Sequence, residues 1–173
     1  MGLSDNGSRL GVYRGILNPP SYWSADTGFV NFPIESDWHM ERNTLSGDGH
    51  FITGDSRTDG RAYIVSDTGS VVRLPKYVPS ANYSVPRGVS YGGLAAFGYD
   101  SWDIGRQKVR TYWAWTAAEG YVAVPLDIAT LSGNGTFVGS RYVAPNYLAG
   151  ISRNGLTTYF PSPDGSSSMF YAS

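Results

Sequence analysis

The chain has 173 residues, 13 Lys and Arg against 14 Asp and Glu, and a net charge of −1, so no global field draws it toward nucleic acid or an anionic membrane surface. It contains no cysteine, which excludes disulfides, thiol catalysis and cysteine-ligated zinc. With 22 Gly, 13 Tyr and 5 Trp, the composition is that of an all-β protein with many turns and a large aromatic surface.

From the N-terminus, Met1–Leu10 shows neither a basic segment nor an apolar one, and no apolar run is long enough to cross a bilayer. The expectation is a soluble chain without a visible export signal and without membrane insertion. The first turn signal is S-D-N-G at Ser4–Gly7. The same S-x-x-G spacing returns at Ser46–Gly49, Ser90–Gly93 and Ser132–Gly135, at intervals of 42, 44 and 42 residues. A fifth, S-P-D-G, stands at Ser162–Gly165, with only eight residues after it.

A second signal punctuates each unit: a small residue, two variable residues and Gly, then a β-rich run closed by Pro. It reads S-D-T-G-S-V-V-R-L-P at Ser66–Pro75 and S-R-N-G-L-T-T-Y-F-P at Ser152–Pro161, with weaker copies at Ala25–Pro33 and Ala117–Pro125. Gly suits a tight turn with positive φ, and Pro marks where a strand stops donating to a ladder. A shift of 86 residues lays Thr44–Pro75 on Thr130–Pro161 with nine identities in 32 positions, where composition alone would give roughly two or three. The chain therefore reads as one all-β domain with an internal duplication of about 1–87 and 88–173. Predicted strands in the second unit are His50–Gly54, Arg61–Val65 and Ser70–Leu74, and in the third Leu94–Tyr99, Lys108–Trp115 and Gly120–Val124. No window carries helical periodicity.

Units of about 43 residues, each with three or four short strands, fall in the period range of propeller blades. The S-x-D-G, strand, x-D-x-G, strand cadence resembles the β-propeller repeats of the WD40 and TolB-like kinds, although the W-D pair that ends a WD40 blade is absent and Trp102-Asp103 precedes a strand instead. The resemblance implies an all-β fold of four similar units in a propeller-like array; a β-sandwich built from two duplicated halves is the alternative. The tail Ser166–Ser173 is then an orphan strand, expected to pair with the strand near Ser8–Tyr13.

Signals for catalysis are sparse. Of two histidines, His50 opens a predicted strand where the duplicate has Thr136. His39 lies in D-W-H-M-E, inside an insertion of the first half, where Glu35, Asp37, His39 and Glu41 alternate in a way that would suit a metal or an acid–base pair; a solvated loop with ordinary charges is the favoured account. Asp48, Asp59, Asp67 and Asp164 lack EF-hand spacing and read as turn caps. The Gly-rich Ser90–Gly98 has no following helix or G-K-[ST] and is no phosphate loop. No cofactor or metal is expected.

Aromatic residues are the better lead. Trp23 and Trp115 match between the halves and are expected in the core, with Trp113 on the face of Trp115. Trp38 and Trp102 lie outside the repeated strands beside acids, so Trp38, His39, Asp100, Trp102 and Asp103 are the candidate binding residues. The functional expectation is a non-catalytic structural or recognition module. Its partners would be other protein subunits, as in a virus or phage particle (a tail or capsid accessory protein), and a homo-oligomer is compatible with the repeats. The alternative is a carbohydrate-binding, lectin-like module, and the third reading a small glycan-acting hydrolase using the Glu35–Glu41 loop.

Overall fold

A computed structural model describes residues 2–12, 19–34, 38–39, 44–105, 107–124, 126–143, 146–153 and 156–160. Sixteen strands form four separate four-stranded sheets, each antiparallel and each in chain order. Sheet 1 holds β1 (Gly2–Leu3), β2 (Leu10–Val12), β3 (Ser21–Ser24) and β4 (Gly28–Asn31). Sheet 2 holds β5 (Trp38–His39), β6 (Phe51–Ser56), β7 (Ala62–Ser66) and β8 (Val71–Arg73). Sheet 3 holds β9 (Tyr83–Val89), β10 (Ala95–Ile104), β11 (Gln107–Thr116) and β12 (Gly120–Val122). Sheet 4 holds β13 (Asp127–Leu131), β14 (Phe137–Val143), β15 (Asn146–Arg153) and β16 (Leu156–Phe160). The only helical element among the described residues is a 3-10 turn at Tyr91–Gly93, and four sheets, rather than two packed ones, replace the sandwich alternative.

Each S-x-x-G joins the first and second strands of a sheet, so a structural unit begins one strand earlier than the motif. The motif works through its own atoms. The Ser Oγ accepts an amide across the turn in all four sheets: from Arg9 (2.9 Å), Phe51 (2.9 Å), Ala95 (2.8 Å) and Thr136 (3.0 Å). The Gly amide in turn donates to the Ser carbonyl at Gly7, Gly49, Gly93 and Gly135. The intervening Asn6, Asp48 and Asn134 accept a further amide from the returning strand, so Asp48 is a turn cap.

These four turns converge. Asp5 of sheet 1 donates its amide to the Gly47 carbonyl of sheet 2 (2.7 Å), and Tyr91 of sheet 3 donates to the Gly133 carbonyl of sheet 4 (2.8 Å). Tyr91 Oη also donates to the Asp5 carboxylate, and the Gly92 amide donates to Asp48 Oδ2 (2.9 Å). A Cβ at Gly47 or Gly133 would overlap the Tyr91 ring, so glycine is required there to let the turn tips close on that ring.

Three apolar layers fill the spaces between successive sheets. Tyr22 and Phe32 meet Trp38, Leu45, Ile52, Tyr63 and Val65 between sheets 1 and 2. Ala62, Ile64 and Leu74 meet Val89, Ala96 and Trp113 between sheets 2 and 3. Ala95, Phe97 and Ala114 meet Leu126, Ile128 and Phe137 between sheets 3 and 4. A common cross-strand row recurs, beginning at the residue before the S-x-x-G serine. It runs Leu3, Leu10, Trp23, Phe29 in sheet 1 and Leu45, Ile52, Val65, Val71 in sheet 2. In sheet 3 it is Val89, Ala96, Trp115, Tyr121, and in sheet 4 Leu131, Phe137, Ser152, Thr157. Directly paired residues share a face, and in sheets 2, 3 and 4 this row faces the preceding sheet.

Trp23, expected in the core, is 41% exposed, because no described sheet precedes sheet 1. Its counterpart Trp115 is packed against the layer between sheets 2 and 3. The tail Ser166–Ser173, Gly155 and Pro161 lie outside the described residues.

Candidate functional site

Sheet 3 departs from the common plan. Strands β10 and β11 pair over ten residues, from Ala95 with Thr116 to Ile104 with Gln107. β9 flanks β10 only as far as Ser101, and β12 flanks β11 only at Ala114–Thr116. Beyond those limits the hairpin continues as a two-stranded arm, Trp102–Val109, with Gly105 at φ 63° in its tight turn. Trp102 pairs with Val109 and Asp103 with Lys108 on the opposite face. Ile104 near the tip is 60% exposed.

Three of the expected site residues lie on β10, on two different faces. Asp100 and Trp102 share the face turned toward sheet 2, and Asp103 stands on the other face, exposed. Asp100 is not a surface acid: it is 0% exposed, and its Oδ2 accepts the Val78 amide at 2.6 Å. That bond, with Asn82 N–H donating to the Ser101 carbonyl at 2.9 Å, anchors the connection between β8 and β9 at the base of the arm. Asp100 Oδ1, Ser84 Oγ opposite it and Trp113 Nε1 are buried with no hydrogen-bond partner among the described residues. Burial, with the Asp100 charge adding to it, pushes the Tyr121 hydroxyl well above its ordinary range; this hydroxyl donates to the Pro75 carbonyl.

The other face of the arm's base is aromatic and cationic. Tyr99 lies under two guanidinium groups, Arg110 at 4.8 Å and Arg87 at 5.3 Å from its ring centre, and meets Tyr112 edge-on at 6.0 Å. Tyr83 and Tyr112 are exposed beside them. The sequence left this region as a connection because two Asp and a Gly interrupt it. The signal that was available is the alternation W-D-I against K-V-R on either side of Gly105.

Trp38 is a correction. It lies in strand β5, 4% exposed, stacked on Tyr63 at 4.2 Å between ring centres, with the Arg73 guanidinium 5.4 Å from its ring centre. It also lines an open, mostly apolar groove of about 470 Å³ with Phe32, Pro33 and Val71, but its Nε1 is buried. At 4% exposure the indole is packed into the layer between sheets 1 and 2 and is not the exposed loop side chain that the sequence suggests. Only the backbone of His39 is described, and Glu35, Asp37 and Glu41 fall outside the described residues, so that loop's chemistry has no geometry here. Among the described residues no group of three or more His, Cys, Asp and Glu is placed to hold a metal.

A further titratable cluster among the described residues is a strut between sheets 1 and 2. Arg9 Nη1 donates to Asp67 Oδ2 at 2.6 Å and to the Gly49 carbonyl at 3.0 Å, His50 Nδ1 lies 2.8 Å from the same carboxylate, and the Arg9 guanidinium covers the Tyr22 ring at 4.4 Å. Partial burial works to raise the Asp67 carboxyl, but hydrogen bonds from Arg9 and His50 and their charges hold it below its ordinary value. Asp48 is likewise held low against partial burial, by Ser46, the Gly92 and His50 amides and the His50 charge.

No protein family matches the sequence, and no curated protein matches it. Among solved structures the chain is similar to TolB from Acinetobacter baumannii, with a TM-score of 0.53 and 14% sequence identity. The similarity covers 91% of this chain and 42% of that one, so the chain spans less than half of its structural neighbour. TolB has a β-propeller domain; at this identity the likeness concerns the fold alone. No helix among the described residues is long and apolar enough to cross a membrane.

Proposed function

We propose that this chain is a non-catalytic recognition module, its four sheets serving as blades of a propeller-like frame and the Trp102–Val109 arm as its contact element. The observation that carries the reading is the arm itself, which leaves the sheet and presents an exposed Ile104 that no frame packing requires. Unbacked strands with an apolar tip are poor in solution and good in a pocket of a partner. Another protein subunit is therefore the partner favoured, and a tail or capsid accessory role in a virus or phage particle is the setting proposed, resting on analogy of fold and composition.

A glycan-binding reading is favoured by a different observation, the exposed Tyr83 and Tyr112 beside the Arg110–Tyr99 stack, since flat rings flanked by donors suit sugars. The two separate in one experiment. Immobilised chain is probed with the products of its neighbouring genes and with a glycan array, using wild type, Ile104→Asp and Tyr112→Ala. Binding of a neighbouring gene product lost with Ile104→Asp supports the protein partner. A glycan signal lost with Tyr112→Ala and kept with Ile104→Asp replaces it.

A further inference from the structure

We infer that the outer faces of sheet 1 and sheet 4 are the two halves of a head-to-tail interface between copies of this chain. The argument is internal to the fold. In sheets 2, 3 and 4 the cross-strand row that begins before the S-x-x-G serine is covered by the sheet before it. Sheet 1 carries the same row, more apolar than the row of sheet 4, yet Leu3 stands 61% and Trp23 41% exposed. The covering half of each interface comes from the opposite face of the preceding sheet. Sheet 4 has such a face too: Val138 and Ile151 pair across it, Phe160 lies on it, and Ile151 and Phe160 are exposed. Among the described residues no sheet follows it.

The chain thus displays both complementary surfaces of an interface it builds three times internally, and they lie on different sheets. A contact between unlike surfaces is heterologous, generating a closed ring where the rotation closes and an open filament where it does not. Apolar faces of this kind left in water are also an association hazard. A second copy of the chain has the covering surface the row is shaped for, which other occupants do not have by construction.

The test uses the full chain and two variants, Trp23→Asp on the sheet 1 row and Ile151→Asp on the sheet 4 face, each checked for an unchanged sheet spectrum by circular dichroism. Sedimentation should find wild type in oligomers and each variant alone as a monomer. An equimolar mixture of the two should form a dimer, because each variant retains the half that the other has lost. Wild type that stays monomeric to about 100 µM overturns the proposal. So does either variant that still associates on its own, since the interface would then join like surfaces, and so does a mixture of two folded, monomeric variants that fails to dimerise although wild type associates. A monomeric wild type whose melting temperature falls with Trp23→Asp also overturns it, placing another part of the same chain on the row.

Discussion

Sheets 1 and 3 each place a tryptophan on their third strand, one residue before a tight turn and opposite an aromatic residue of the fourth strand: Trp23 across from Phe29, and Trp115 across from Tyr121. Strand, register and face agree. What differs is the neighbour. Trp115 packs against the layer that sheet 2 supplies, while Trp23 faces outward from the first sheet of the array. In an array of repeats, burial follows from the position of the unit as well as from the residue. A duplicated residue therefore does not carry its burial with it. The same lesson runs in reverse at Trp38, which has no counterpart in the second half and is nonetheless buried in the layer between sheets 1 and 2, stacked on Tyr63.

That contrast predicts a ranking. Trp38→Ala removes a stacked indole from a closed layer and should cost about 3–5 kcal/mol, as large aromatic truncations in cores do. Trp115→Ala, half-buried, should fall below it, at about 1–3 kcal/mol. Trp23→Ala, measured in monomeric protein, should change stability by less than about 0.5 kcal/mol. Urea unfolding of the three variants checks the order, and a Trp23 loss as large as that of Trp38 would show that the first sheet is covered within the chain.

Next in size is the tight turn of sheet 2. Gly69 has φ 96°, in a region that a β-branched residue enters only under strain, so Gly69→Val should lower stability by about 1–3 kcal/mol. Gly69→Ala should lie between the two, and equal unfolding midpoints for all three proteins would contradict the strain.

The strut between sheets 1 and 2 predicts a smaller, pH-dependent effect. The Asp67 carboxyl titrates below its ordinary value of 3.8, so its contribution is complete above that pH and fades as the pH falls through the lowered value. Asp67→Asn should cost about 1 kcal/mol at neutral pH, and the gap to wild type should close below pH 3.8. Thermal melts from pH 7 to pH 2.5 or about that range read it directly; a gap that widens in acid would reverse the sign assigned here.

Much of this was legible in the chain. The S-x-x-G signals marked turns because their Ser, Asn and Asp side chains make the turn hydrogen bonds themselves, at the D-x-G turns the preceding Ser24 and Ser66 do so, and the second, third and fourth strands of sheets 2 and 3 lie close to where their alternation placed them. The first strands were harder. β1 and β5 are two residues long, and β9 carries Pro86, tolerated because β9 is the edge of sheet 3 beside a bulge. Facing was harder still. Ser46 donates its amide to the Phe51 carbonyl, whereas Ser132 donates to Thr136, one position nearer. That single residue turns Phe137 toward the preceding sheet, where its duplicate Phe51 packs with the following one, since a one-residue slip exchanges the two faces of a strand. Asp100, Trp102 and Asp103 fall on one strand, Asp103 on the face opposite the other two, and the arm they run into comes from pairing across a turn, which the residues of one strand do not display.

The smallest expected effect on stability belongs to the arm, and it separates frame from contact element. Trp102 and Ile104 lie beyond the reach of β9 and β12, so neither fills an intersheet layer. Ile104→Asp should leave the unfolding midpoint within the equivalent of about 0.5 kcal/mol. Trp102→Ala should cost somewhat more, because its ring is half-buried against Val109. Asp100, at the arm's base, should behave differently from both. It accepts the part-buried Val78 amide, so Asp100→Ala leaves that donor without its acceptor and should cost about 1–3 kcal/mol while the arm's own residues remain in place. If the arm is the contact element, partner binding falls with Ile104→Asp at unchanged stability, and falls with Asp100→Ala only as far as unfolding or a displaced arm accounts for it. Equal loss of melting temperature in Ile104→Asp and Asp100→Ala would mean that the arm packs on the frame, and that its exposed tip is not there to meet a partner.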